Sequence, residues 1–539
     1  LFQYLFIARK MRFASAAVVA GVPCAPPGDG SLSWSLSCPR SSLQTTSHIA
    51  QALATAHELS SFTLDASHNS LGDSAITDLA EGLAGLASLE RLQLELSFND
   101  IGEDGAVALG RALEKLPELR VVSVHIGQNR AGGDGIAALV RACKMAEVVF
   151  LSANGNDIGA EGGQNIAQGM SALGYVKEIT LDLQFNKLSG AIAPIGSSLG
   201  LLKSAEMVSL FLGSNELRPE SLQELGAGLG RLSGLRHLTL FLDTGDVGDV
   251  DVSSIALGLQ NLPGIVSIVL DLSHTATSGQ GIASIFSAVW QLQSLETLRV
   301  DVYDTHVGDD AVWSPNVGAA HPSIVDLSIN ANNCSITDKG VGNLVRAISG
   351  MPLHRASIDI GGNNIGTEGV AALASGLPSS LADLSLYLQG NAIKPQGAAS
   401  LGLAIARMNV LTRLRIHLDR NELGDEGVGV FATTLVTGKM DFAPAGGNPP
   451  ASVGEPVTLS SLKFVAVYIA GNKVSAAANL RLQATLLRLE SLSTLRVFPN
   501  VTARLPETTW PSDSPFLSEQ RNSSSIASGA GDSGPWAEL

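Results

Sequence analysis

Cysteine is scarce in this sequence, with Cys24, Cys38, Cys143 and Cys334 the only four among 539 residues. So few thiols cannot build a disulfide-stabilised scaffold, and their spacing does not match a zinc site. Because a reducing compartment explains this scarcity most simply, we expect a cytoplasmic protein.

Positive charge is also in short supply: 34 Lys and Arg stand against 50 Asp and Glu, for a net charge of −16. This balance argues against nucleic acid or an anionic membrane as the main partner. No apolar run reaches the roughly 18 residues that a membrane-spanning helix requires. We therefore expect a protein partner that is basic or of mixed charge.

Catalytic patterns are absent as well. The GGDG run at residues 132–135 lacks the GK[ST] of a phosphate loop, and His57 followed by Glu58 lacks the second His of a zinc protease. Carboxylates are scattered along the chain without a convergent His. The sequence thus predicts a protein that is not an enzyme and that holds no metal or cofactor.

What the chain does have is a repeated unit, clearest in LQLELSFNDIGEDG at residues 92–105. Leu92, Leu94 and Leu96 alternate with polar residues, which is the period of a strand with one buried face. The strand stops at Asn99, and apolar residues then recur at helical spacing as far as Leu116. One unit is a strand, a turn and a helix.

The residue at the Asn99 position recurs about every thirty residues, a period typical of a solenoid. Because a short amide can both donate and accept hydrogen bonds where a strand ends, we expect a structural role for it. The recurrences are Pro39, Asn69, Asn129, Asn156, Asn186, Asn215, Gly245, Thr275, Thr305, Cys334, Asn363, Asn391, Asn421, Asn472 and Asn500.

The pattern LxLxLxxNxIGxxGxxxLxxxL, seen again in LRIHLDRNELGDEGVGVFATTL, resembles the ribonuclease-inhibitor type of leucine-rich repeat. The resemblance implies an α/β solenoid, a horseshoe with parallel strands on the concave face and helices on the convex face. Helices are about 10 Å across and parallel strands stack about 4.8 Å apart, so the array must bend toward its strands.

We predict a repeat domain of about sixteen units over residues 30–504, with a loop insertion at 437–457 and a disordered tail at 505–539. Residues 1–29 form a leader, in which Met11, Arg12 and the apolar stretch 13–22 resemble a short secretory signal. Arg9 and Lys10 fit an ordinary basic leader equally.

From about 240 to 322 the repeat weakens, and Pro315 and Pro322 interrupt the expected helix. We interpret that section either as sequence drift within a tolerant fold or as a hinge or docking surface near Trp313.

The strand positions that face away from the core carry acids interleaved with aromatic residues. Four residues before each register position we place Asp65, Glu95, His125, Ser152, Asp182, Phe211, Phe241, Asp271, Asp301, Asn330, Asp359, Tyr387, His417, Tyr468 and Arg496. Two residues further on we add Asp243, Tyr303 and Asp419. Aromatic anchors ringed by charge are typical of binding hot spots.

The predicted function is therefore a scaffold or interaction module that binds a basic or mixed protein segment on this face. Two alternatives remain open. A Ran-type GTPase-activating protein has similar repeats and needs an Arg on an early strand-to-helix turn, where Arg130 lies. The sensor repeats of a NOD-like receptor also look similar, but such a receptor needs a nucleotide-binding module with a phosphate loop, and residues 1 to 60 cannot be one.

Overall fold

The computed structural model describes residues 32–40, 46–217, 219–243, 245, 247–313, 321–439 and 459–498. Within them, one strand of each repeat pairs in parallel with the strand of the next repeat. The resulting open sheet has sixteen strands in chain order, so neighbours in sequence are neighbours in space. The leader, the insertion and the tail fall largely or wholly outside these residues.

Each strand has five residues, and its second and fourth side chains point toward the helices. Leu92 and Leu94 show this arrangement, since both are buried. The strands are β1 (Ser33–Ser37), β2 (Ser61–Asp65), β3 (Arg91–Glu95), β4 (Val121–His125), β5 (Val148–Ser152), β6 (Glu178–Asp182), β7 (Met207–Phe211), β8 (His237–Phe241), β9 (Ser267–Asp271), β10 (Thr297–Asp301), β11 (Asp326–Asn330), β12 (Arg355–Asp359), β13 (Asp383–Tyr387), β14 (Arg413–His417), β15 (Phe464–Tyr468) and β16 (Thr494–Phe498).

The helices pack side by side on the other face of the sheet. Each presents apolar residues at helical spacing to the strands, as Ala106, Leu109 and Leu113 do. They are α1 (Ser47–Leu53), α2 (Asp73–Leu83), α3 (Glu103–Leu113), α4 (Gly132–Ala142), α5 (Gly159–Met170), α6 (Ile192–Leu199), α7 (Pro219–Leu229), α8 (Asp249–Leu259), α9 (Gly279–Val289), α10 (Asp338–Ile348), α11 (Thr367–Gly376), α12 (Lys394–Ile405), α13 (Gly424–Thr437) and α14 (Ala476–Leu486).

A single hydrophobic core runs between the two layers from Trp34 to Leu489. One repeat cannot cover its own apolar face, so stacking of neighbours completes the core. Together with the open parallel sheet, this confirms the predicted α/β leucine-rich repeat solenoid of the horseshoe class.

The buried amides at the strand ends join successive repeats. The Asn99 amide donates through Nδ2 to the carbonyls of Leu96 in its own repeat (2.9 Å) and Ala66 in the preceding one (3.1 Å). Its Oδ1 accepts from the backbone N–H groups of Asn69 and Leu71, each at 3.0 Å. The structural role predicted for this position is therefore confirmed.

A second contact between repeats involves the aspartate at the start of a helix. Asp73 accepts through Oδ1 from the N–H groups of Gly102 (2.6 Å) and Gly105 (3.1 Å) in the next repeat. A Cβ atom on Gly105 would lie 2.6 Å from this Oδ1 and 3.0 Å from the Cα atom of Asp73. Glycine is needed there because the neighbouring backbone lies so close.

Between β10 and β11 no described residue lies in a helix, as the prolines predict; residues 314–320 lie outside the described part. Trp313 fills this side of the core and is 1% exposed. Its ring lies edge-on to Phe286, with centroids 5.2 Å apart. His321, fully buried, lies edge-on to Trp290 and meets the carbonyl of Val289. The Trp313 side chain itself belongs to the core, so a hinge or docking surface near it would be formed by other residues and stays a prediction.

Candidate functional site

The first, third and fifth residues of each strand point away from the helices and form the concave face of the sheet. The strand register aligns their side chains in rows across the repeats. The fifth residues form one row, with pairs such as Phe211 beside Phe241 and Asp271 beside Asp301. We call this line the central row; it holds the predicted residues from Asp65 to Tyr468.

The last member of the predicted row was wrong. Tyr468 pairs with Phe498, whereas Arg496 pairs with Ala466 and belongs to the row of third residues. The error arose because counting back four residues from Asn500 gives the wrong register in this repeat. Alternation within the strand itself, with Leu495 and Val497 facing the core, would have given the correct one.

The first part of the central row is acidic. Asp65, Glu95 and His125 are neighbours in register. The carboxylate of Glu95 lies 3.3 Å from His125 Nδ1, and its other oxygen accepts from the Ser97 hydroxyl at 2.7 Å. Burial raises the pKa of Glu95 to about 7. This carboxyl group consequently titrates near neutral pH.

Further along the row, Asp182 is held in place by neighbouring polar side chains. It accepts from the Ser152 hydroxyl at 3.0 Å and from Asn154 Nδ2 at 2.8 Å. Burial raises its pKa, and these hydrogen bonds oppose that shift. Part of its hydrogen-bonding capacity is thus already used within the face.

Phe211 and Phe241 follow in the next two repeats and contact each other, with ring centroids 4.8 Å apart. Phe211 is 6% exposed yet lies outside the core cluster, because it is covered by its neighbours on the concave face. Phe241 is partly exposed. This pair offers apolar surface mainly through the second ring.

Asp243 lies next to the phenylalanine pair, in the row two residues beyond the central one. Its Oδ1 is buried and has no hydrogen-bond partner among the described residues, while Asp271 nearby accepts from the Ser273 hydroxyl at 2.6 Å. Burial, reinforced by the charge of Asp271, raises the pKa of Asp243 to about 7. Burial also raises the pKa of Asp271. The two carboxyl groups resist ionising together.

Asp301 and Asp359 are almost completely buried. Asp301 accepts from Asn330 Nδ2 at 3.0 Å, and Asp359 accepts from Asn332 Nδ2 at 3.1 Å. Tyr303, partly exposed, lies edge-on to His274. In this segment the row offers less free carboxylate than the sequence alone suggests.

Aromatic rings stack at the C-terminal end of the central row. Ring centroids are 4.6 Å apart between Tyr387 and His417, 3.8 Å between His417 and Tyr468, and 4.3 Å between Tyr468 and Phe498. Asp419 Oδ2 lies 3.7 Å from His417 Nδ1. The sequence predicted Tyr387, Asp419 and Tyr468 as site residues but did not predict the stack.

Two further aromatic residues on this face were not singled out from the sequence. Phe150, in the row of third residues, stacks on His125 with centroids 4.5 Å apart. Phe464 occupies a first position in β15. Strand alternation around Val149 and Val465 is the signal that places both of them on the concave face.

Outside this face, Arg130 lies at the turn between β4 and α4, with its side chain 83% exposed and Nη2 4.0 Å from Asp100. Among the residues the structure describes, no group of three or more His, Cys, Asp or Glu is arranged to hold a metal ion. In the same part of the chain, none of the helices is both long and apolar enough to cross a membrane.

Comparison with known proteins gives one family match. A family model described as "Leucine Rich repeat" matches residues 92–110 and 357–374. The solved structure "Crystal structure of Rad7 and Elc1 complex in yeast" contains a chain that is 15% identical to this one, with a TM-score of 0.38, over 84% of this chain and 89% of that chain. A similarity this distant does not establish a shared function. No curated protein matches the sequence.

Proposed function

Because the chain is a leucine-rich repeat solenoid, we propose that it is a non-enzymatic interaction module or scaffold that binds a basic or mixed protein partner on its concave face. The observation that carries this proposal is the central row, where the register sets acidic and aromatic side chains side by side over many repeats. Acidic groups steer a basic partner toward the face, and aromatic rings supply apolar contact once water is expelled.

Side-chain exposure distinguishes the residues of the face that can contact a partner from those that cannot. Glu95, Asp243 and Asp271 are among the partly exposed acids on the face, and Phe241 and Tyr468 are among its partly exposed rings. Asp301, Asp359 and Asp419 are buried and serve more to shape the row than to contact a partner. The pKa of Asp243 is about 7, and a cation brought close to this carboxyl group would favour its ionised form. A basic partner therefore gains an ion pair when it binds here.

We also assign the repeats to the ribonuclease-inhibitor-like class. The support is that nearly every strand is followed by an α-helix, most of them eleven residues long, at a repeat length near thirty. The Ran-type alternative rests on Arg130 alone, which has the required place and exposure. No further feature of the site favours it.

A cytoplasmic location remains a prediction, and one observation weighs against it. Cys38 is disulfide-bonded, whereas Cys143 and Cys334 are buried free thiols. Disulfide bonds persist mainly in oxidising compartments. Peptide mapping of the protein purified from its native source, with and without reduction, would show whether Cys38 is disulfide-bonded there, and so decide between a reducing and an oxidising compartment.

The proposed face is tested by affinity capture with mass spectrometry, comparing the parent with the triple variant Glu95→Gln, Asp243→Asn, Asp271→Asn. We expect the main partner to be lost from the variant, and also from the parent as salt is raised, since exposed charge pairs are screened. Asp104→Asn, Glu114→Gln, Glu118→Gln converts the same number of carboxyl groups to amides at exposed positions away from the face and should leave capture unchanged. Equal capture by the parent and the concave variant would refute the proposal.

A further inference from the structure

The last three described strands form a three-by-three grid of side chains on the concave face. The register sets Arg413, Phe464 and Thr494 in one row, and His417, Tyr468 and Phe498 in another. The row between them consists of Arg415, Ala466 and Arg496. The smallest side chain of the grid is therefore at its centre, with an arginine on either side and an aromatic ring above and below.

The arginines of this grid are oriented by aromatic contacts. The guanidinium carbons of Arg413 and Arg496 lie 5.9 Å and 6.0 Å from the centroid of the Phe464 ring. Burial raises the pKa of Tyr387, and the nearby positive charge of Arg415 opposes that rise. Cation–π contacts hold a guanidinium in place while leaving its N–H groups free to donate.

These three arginines form no ion pair with any described carboxylate. The arginines Arg299 and Arg355, by contrast, both contact Asp326. Arg413 and Arg496 are exposed, and Arg415 is partly exposed. The grid thus presents three positive charges outside any described ion pair at one end of the face.

The spacing suits a small anion. Arg415 and Arg496 are two strands apart, so their backbones are separated by about 10 Å. Ala466 between them is buried beneath the surrounding side chains, so an anion would be held by the guanidinium groups at the surface of the grid. One guanidinium group can donate two parallel hydrogen bonds to a carboxylate, and a second one can donate to a remaining lone pair of the same oxygens. We propose that this grid, which we call the arginine cup, binds a short acidic segment of the protein partner.

Neighbouring charges favour a short acidic segment over a long polyanion. Asp383 flanks Arg413 in the row of first residues, Asp419 lies beyond His417, and the central row continues as Asp359. A nucleic acid extending past the cup would meet these carboxylates, and the net charge of −16 opposes it further. The proposal rests on the proposed function and deepens it: the partner carries a basic stretch for the acidic repeats and an acidic stretch for the last ones.

Binding of a fluorescein-labelled, end-capped tetraglutamate peptide tests the cup without the natural partner. We expect the full chain to bind it at low salt by fluorescence anisotropy, and the double variant Arg415→Gln, Arg496→Gln to bind at least about tenfold more weakly, since each charged hydrogen bond contributes on the order of one factor of ten. Arg91→Gln, Arg141→Gln makes the same charge change at exposed positions in earlier repeats and should bind like the parent.

A second variant, Ala466→Glu, sets a carboxylate between the two arginines. We expect it to abolish tetraglutamate binding, because the new carboxylate would occupy the guanidinium groups itself. Since Ala466 is buried, circular dichroism of the variant first verifies that it is folded. Unchanged peptide binding in this variant would overturn the cup.

The remaining outcomes are also decisive. Failure of the parent to bind, or an equal loss in the Arg91→Gln, Arg141→Gln control, would overturn the proposal. Tighter binding of a labelled single-stranded oligonucleotide through the same two arginines would overturn its assignment to an acidic peptide. Because the capture experiment uses Glu95, Asp243 and Asp271, its failure with intact tetraglutamate binding would reject the proposed function while leaving the anion site standing.

Discussion

At the scale of single residues, the strand-end position shows how the side chain sets the number of bonds between repeats. Asn421 Nδ2 reaches the Leu388 carbonyl of the preceding repeat at 2.8 Å, and Asn472 Oδ1 accepts from the Asn421 N–H at 2.7 Å. Thr275 has only a hydroxyl, which donates to its own Leu272 carbonyl. Gly245 has no side-chain donor. The amides therefore join repeats more strongly than their replacements do.

Replacing Asn99 by Ala should weaken its junction locally. We expect the amide protons of Asn69 and Leu71, which bond to Asn99 Oδ1, to exchange faster with deuterium, with a loss of about 1–3 kcal/mol from the unsatisfied buried groups. Mass-spectrometric hydrogen exchange measures this. Asn165→Ala, at an exposed contact with Asp134, serves as the control and should change exchange little.

Asp243 predicts a pH dependence of stability. Its pKa is about 7 in the folded chain and near 4 when unfolded, so the folded state binds the proton more tightly and its stability falls as pH rises from about 4 to 7. Asp243→Asn removes this loss. We expect it to raise the free energy of unfolding by about 2 kcal/mol at pH 8, allowing for partial exposure, and to have little effect at pH 4.

Denaturant unfolding of parent and variant at both pH values measures this difference. Asp100→Asn, at an exposed position, is the matched control and should show no comparable gain. A gain of equal size at pH 4 and pH 8 would contradict the protonation argument and point to packing instead.

At the scale of elements, the segment between β10 and β11 shows how the core is closed where no described residue lies in a helix. The core stays closed there because Trp313, Phe286, Trp290 and His321 pack against one another. Burial lowers the pKa of His321, so the neutral ring is favoured in this apolar setting. Among the described residues, large rings thus cover this part of the sheet.

Trp313→Ala should therefore be costly. We expect a loss of about 3–5 kcal/mol, typical of removing a buried aromatic side chain, seen as a lower urea midpoint. Val312→Ala changes the adjacent residue, which is 46% exposed, and should shift the midpoint much less. Equal shifts would mean that the tryptophan is not the element that closes the core.

At the scale of the whole repeat array, the concave face changes in chemistry along its length. Acids dominate the central row from Asp65 to Asp359. From Tyr387 to Phe498 the central row consists of stacked rings, and arginines occur in the rows of first and third residues. A partner lying along the strands' stacking direction would meet both regions in order. The variant Glu95→Gln, Asp243→Asn, Asp271→Asn tests the acidic region, and the variant Arg415→Gln, Arg496→Gln tests the arginine cup. Together they indicate the orientation in which a partner binds along the face.

The sequence by itself determined the repeat, the sixteen parallel strands and the face on which Asp271, Asp301, Phe211 and Phe241 lie. It could do so because a period of two within a strand and about thirty between strands assigns these side chains to one row; the assignment failed at Arg496, in the last repeat. Only the tertiary structure decided which of those residues are accessible. Phe211, Tyr387 and Asp301 are buried by side chains from adjacent repeats, Trp313 fills the core between β10 and β11, and the arginine cup brings together residues about eighty positions apart. Burial and charge pairing depend on neighbours across strands, and no single repeat contains that information.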